Sequence, residues 1–122
     1  MSRPLRFVPE KKTLVEVTTR TVQSRFLLQP SDELNEIVLG VLGRAQKLYP
    51  VEICAFAFAS GHYHLLLVVD DAQQLASFVG YFNSNLAREV CRLVDWSDKV
   101  WSRRYRAIVV SGEPEKQRGL AP

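Results

Sequence analysis

Residues 51–69 read VEICAFAFASGHYHLLLVV. Two apolar runs flank Ser60-Gly61, and two turn-forming residues between such runs predict a β-hairpin. The first run is short enough for a buried strand. The second, HYHLLLVV, carries His62 and His64, and the chain has no other histidine. On a strand, successive side chains point to opposite faces, so both imidazoles project from one face, about 6.6 Å apart along the strand. Tyr63, Leu65, Leu67 and Val69 then share the other face.

Outward from the hairpin lie two helical patterns. On the N-terminal side Ser31 is a good N-cap, with Asp32 and Glu33 in the first turn, where the helix dipole favours acids. Leu34, Ile37, Val38, Val41, Leu42, Ala45 and Leu48 follow at helical spacing, and Pro50 ends the pattern. On the C-terminal side Asp70-Asp71 caps a second helix running to about residue 93. Its buried stripe is Leu75, Phe78, Val79, Phe82, Leu86, Val90 and Leu93. Residues 13–20, TLVEVTTR, form a first strand and residues 103–110, RRYRAIVV, a last one, with Trp96 in the loop before it.

The order strand, helix, strand, strand, helix, strand predicts an α+β domain. Two amphipathic helices cover one face of a four-stranded antiparallel sheet, the ferredoxin-like βαββαβ plan. The other sheet face stays free for a ligand. One domain over residues 1–110 accounts for the 122-residue length, and residues 111–122 form a poorly structured tail.

The composition is that of a soluble globular protein. No run is long and apolar enough to span a membrane, and the basic start lacks a signal-peptide core, so a cytoplasmic location with no membrane partner is expected. Cys54 and Cys91 form no metal-ligand spacing and are expected as reduced, mostly buried thiols. The net charge is +3, but it is unevenly placed. Arg3, Arg6, Lys11 and Lys12 crowd the N-terminus, and Lys99, Arg103, Arg104 and Arg106 crowd a second stretch. Such clustering suits phosphate backbones as well as a plain solvated surface.

Two imidazoles leaning together can share one metal ion at about 2 Å from each nitrogen. The pattern by itself also fits two surface or hydrogen-bonded histidines. The context that sharpens it is a resemblance. GHYHLLL looks like the HUH motif of the single-tyrosine transposases, and the chain is most similar to the REP-associated tyrosine transposases. The similarity spans roughly residues 3–110 and includes RFVP (6–9), VTTR (17–20), FLLQPSDELNEIVLGVLGRAQKLYPVEICAF (26–56), FVGYFNSNLAREV (78–90) and WSRRYRAIVV (101–110).

The resemblance implies the same ferredoxin-like fold, with His62 and His64 ligating Mg²⁺ or Mn²⁺ that polarises a scissile phosphate of single-stranded DNA. A tyrosine on a helix after the last strand would attack, leaving a 5′-phosphotyrosyl link that allows rejoining without ATP. Residues 111–122, SGEPEKQRGLAP, contain no tyrosine, so that nucleophile and its helix are expected to be missing. Tyr49, Tyr63, Tyr81 and Tyr105 are poor replacements. Gly61 stands where relatives usually carry asparagine. Glu16 stands where many carry histidine; it either lends the ion a carboxylate oxygen or is a surface glutamate on an edge strand.

A DNA-binding surface is expected from Arg20, Arg25, Trp101, Arg103, Arg104, Tyr105 and Arg106. Guanidinium groups neutralise phosphates, and aromatic rings stack on unpaired bases at ~1–3 kcal/mol each. If the last strand starts early, Trp101, Arg103 and Tyr105 share one face and Arg104 and Arg106 the other. Alternatively Trp96, Trp101 and Tyr105 close the end of the core. Asn83, Asn85 and Arg88 on the second helix are candidates to line the same groove. Three functions follow: a metal-dependent transposase on single-stranded or hairpin DNA, a nucleic-acid-binding module without strand cleavage, and a structural domain. Both monomer and homodimer are compatible with the residues.

Overall fold

The computed structural model describes residues 12–110. Along them run β1 (Thr13–Arg20), a 3-10 turn (Val22–Ser24), α1 (Asp32–Leu48), β2 (Glu52–Ala59), β3 (His62–Val69), α2 (Ala72–Val94) and β4 (Arg106–Val109). The strands form one antiparallel sheet in the order β2-β3-β1-β4. This is the α+β, ferredoxin-like arrangement that the periodicities predict.

Both helices start where a side chain can satisfy an orphan backbone donor. Ser31 Oγ accepts from Leu34 N at 3.0 Å, and Asp71 Oδ1 accepts from Gln74 N at 2.8 Å. α2 stops at Asp95, whose left-handed backbone (φ 57°) closes the last turn. Burial follows the strand period. Val15 and Val17 of β1 and Tyr63, Leu65, Leu67 and Val69 of β3 are buried in one cluster with the stripes of α1 and α2. Each such side chain contributes about 1.5–3 kcal/mol by leaving water. Phe78 and Phe82 stack within α2, and Phe82 meets the edge of Tyr63, which pins this helix across the sheet.

The opposite face carries no helix among the described residues. Register brings Ala57, His64, Thr18 and Arg106 into one row across it, Ala55, Leu66, Glu16 and Ile108 into the next, and Ala59, His62 and Arg20 into a third. The histidines therefore stand on the uncovered face, on a central strand.

Four sequence expectations are corrected. The last strand begins at Arg106, not 103, because residues 101–105 turn away from the ladder after a single bridge between Trp101 and Thr21. The alternation expected from Trp101 to Arg106 is therefore not imposed by a strand. VEICAFAFA is an edge strand and largely exposed, since no described strand pairs with its far side. Cys54 lies at a bulge in that edge and is exposed, while Cys91 is half-buried; both are free thiols. Leu48 and Leu93, placed on the buried stripes, are exposed at the helix ends, beyond the reach of the sheet. Arg3, Arg6, Lys11 and the tail 111–122 lie outside the described residues.

Candidate metal and nucleic-acid site

His62 and His64 stand edge to face with ring centroids 5.1 Å apart. The strand that holds them is rigid because its alternate residues are locked in the core. His64 is further fixed from β1: its Nδ1 lies 3.1 Å from Thr18 Oγ1 and 3.5 Å from Glu16 Oε2. With the proton on Nδ1, the ring donates toward these oxygens and leaves the Nε2 lone pair for a ligand. Glu16 is thus on the histidine face and beside His64. It sits on a strand with neighbours on both sides, not on an edge.

Two imidazole nitrogens and a nearby carboxylate suit a borderline-hard divalent ion such as Mn²⁺, and Mg²⁺ less well. Among the described residues no group of three or more histidine, cysteine, aspartate or glutamate side chains is assembled to hold an ion. Among the described residues the donor set therefore fits the histidine half of a metal site.

The end of the sheet beside His62 is tightly tied. Thr21 N donates to Gly61 O at 3.0 Å, Leu28 N to Ser60 O at 2.9 Å, Val22 N to Val100 O at 2.7 Å and Ser102 N to Arg20 O at 2.9 Å. These bonds bring the β1 exit, the hairpin turn and residues 100–102 together. Gly61 is needed here for space, since a Cβ would lie 3.1 Å from Ser24 O. Gln23 and Ser24 both adopt left-handed backbone (φ 51° and 55°), which lets the chain turn back sharply over that glycine.

The expected DNA-contacting residues separate into two groups. Arg20, Arg25, Arg103, Arg104 and Arg106 are exposed. Arg20 and Arg106 are on the histidine face by register, and the Arg25 guanidinium lies 5.0 Å from the centre of the Trp96 ring. Trp101 and Tyr105 are half-buried. The Trp101 ring meets Tyr63 edge-on at 5.6 Å, and its Nε1 donates to Asn83 O at 3.0 Å. Burial pushes the Tyr105 phenol above its ordinary range. Asn83 accepts a hydrogen bond from the buried Tyr63 hydroxyl, and Asn85 donates to Tyr81 O. These asparagines belong to α2, on the covered side of the sheet, so they do not share a groove with the histidines.

None of the four tyrosines faces the histidine pair. Tyr63 is fully buried on the opposite face, and Tyr49 and Tyr81 pack against each other between the helices. Tyr105 is drawn toward the Tyr63 end of the core. Sequence reasoning missed Thr18, whose signal was its position two residues from Glu16 on one strand face. It also missed the exposure of Phe26, for which no sequence periodicity gave a signal.

The uncovered face of the sheet thus carries the paired histidines with the exposed Arg20 and Arg106 beside them. The family model for IS200-like transposases matches residues 14–118, and the chain belongs to that family. No curated protein matches the chain. Among the solved structures that share its fold are two transposases. One is a REP-associated tyrosine transposase bound to a REP hairpin, with a TM-score of 0.69, 13% identity, and 98% of this chain and 68% of that one covered. The other is a candidate transposase from Deinococcus radiodurans R1, with a TM-score of 0.66, 19% identity, and 98% and 93% coverage.

Proposed function

We propose that this chain is a transposase-like protein that binds single-stranded or hairpin DNA, with His62 and His64 as the protein ligands of a Mg²⁺ or Mn²⁺ ion. The observation that carries this reading is the position of the histidine pair on the uncovered sheet face, next to the exposed arginines at the end of β1. Membership of the IS200-like family supports it, and a fold neighbour in complex with a REP hairpin makes hairpin DNA the natural probe. When bound, the ion supplies Lewis-acid polarisation of a phosphodiester. The chain's own side chains do the rest. Arg20 and Arg106 attract the backbone phosphates, and Thr18 with Glu16 holds the His64 ring in place.

Strand cleavage and joining through a tyrosine, which the family resemblance implies, needs a phenol facing the histidines. Among the described tyrosines none does so, and the second reading is a DNA-binding module without cleavage. Incubating the protein with hairpin DNA and Mn²⁺, then running a denaturing gel and mass spectrometry, separates the two. A covalent adduct lost in His62→Ala and His64→Ala establishes the transposase. Salt-sensitive binding without an adduct establishes the module. Absence of any salt-sensitive DNA binding overturns both.

A further inference from the structure

Phe26 is the most exposed large apolar side chain described, at 72%. Its exposure is built in. Leu27 N donates to Arg25 O at 2.8 Å, closing a three-residue turn with Phe26 at its centre. Leu27 and Leu28 on the next two positions are buried, and the Leu28 amide is tied to Ser60 of the hairpin turn that precedes His62. The turn is therefore anchored on both sides, and its central ring is held outward at the histidine end of the sheet. Arg25 is steadied over Trp96 on one side, and Arg20 is joined to the segment carrying Arg103 and Arg104 on the other.

The other aromatic rings at this end are engaged. Trp101 packs on Tyr63 and donates to Asn83, Tyr105 is half-buried, and Trp96 lies under Arg25. An exposed aromatic ring next to the exposed Arg25, at the end of the sheet where Arg20 is also exposed, matches the chemistry of an unpaired nucleotide, whose base stacks while its phosphate pairs with arginine. Resting on the DNA-binding reading above, we propose that Phe26 is a stacking platform for an unpaired base of a single-stranded flank beside a DNA hairpin. Trp101 and Tyr105 serve the core instead.

The test is binding by fluorescence anisotropy of the full chain to a hairpin with a short single-stranded flank, and to the same hairpin with the flank made abasic. Phe26→Ala is expected to lose about 10-fold in affinity for the base-bearing flank and nothing on the abasic one. Phe26→Trp is expected to keep the wild-type affinity. The salt dependence stays unchanged in both, because no phosphate contact is removed. If the wild type binds in a salt-sensitive way and Phe26→Ala binds the base-bearing flank equally well, stacking is overturned and DNA binding stands. An equal loss on the abasic flank overturns stacking too. If the wild type binds neither DNA, both readings fall.

Discussion

Glu16 Oε2 lies 3.5 Å from His64 Nδ1, across the ladder that joins β1 to β3. A carboxylate beside the ring nitrogen that does not face a ligand fixes the tautomer and orientation of the ring. Glu16→Gln keeps the shape and removes the charge. It is expected to weaken Mn²⁺ binding by about 10-fold, measured by calorimetry, with the melting temperature unchanged. An unaltered Mn²⁺ affinity would show that the contact plays no part in metal binding.

Tyr63 and Asn83 join the sheet to α2 by a buried hydrogen bond. Removing the hydroxyl in Tyr63→Phe leaves Asn83 Oδ1 without that donor and is expected to cost about 1–3 kcal/mol in urea unfolding. A loss well below this range would mean that water replaces the hydroxyl.

The same phenol sets an alkaline limit. Burial raises the Tyr63 pKa above its ordinary value of 10.0, and burial raises Tyr105 in the same sense. The neutral forms are thus favoured by the folded chain. Their contribution is fully present below pH 10 and is lost as the pH climbs from there through the raised folded values. Unfolding midpoints measured between pH 8 and pH 12 (an interval of roughly two units on either side of an ordinary phenol pKa) are expected to fall above 10. The fall should be shallower in Tyr63→Phe, and an identical fall in the variant refutes the assignment.

Gly61 leaves room for the turn at Ser24, whose carbonyl oxygen a Cβ would approach to 3.1 Å. Gly61→Ala has to push back a backbone segment that is also tied through Thr21, and it is expected to destabilise by about 1 kcal/mol. Thermal melting checks this. Because the displaced turn leads into Phe26, the variant should also bind hairpin DNA less tightly.

Arg20 is exposed opposite His62 on the open face. Arg20→Ala is expected to weaken binding evenly across DNA sequences and to reduce the slope of log affinity against log salt by about one. A change in sequence preference with an unaltered slope would point to base contact in place of phosphate contact.

Much of this architecture was legible locally. The Ser60-Gly61 turn, the caps at Ser31 and Asp71 and the two apolar stripes are each encoded within a few residues, so their elements lie close to the expected positions. The shared face of His62 and His64 follows from the strand period alone. The start of β4 did not follow, because residues 101–105 look like a strand but are drawn off by the packing of Trp101 on Tyr63 and Asn83. The exposure of β2 was hidden as well, since an apolar run reads the same at an edge as in the middle of a sheet.

The amino-acid sequence by itself determined the element order, the α+β plan and the face that carries the histidines, because these rest on spacing between near neighbours. Only the tertiary structure decided which strand lies at the edge, that Glu16 and Thr18 meet His64, and that Phe26 rather than Trp101 presents a free ring. Those outcomes depend on contacts between segments distant along the chain, and no local period records them.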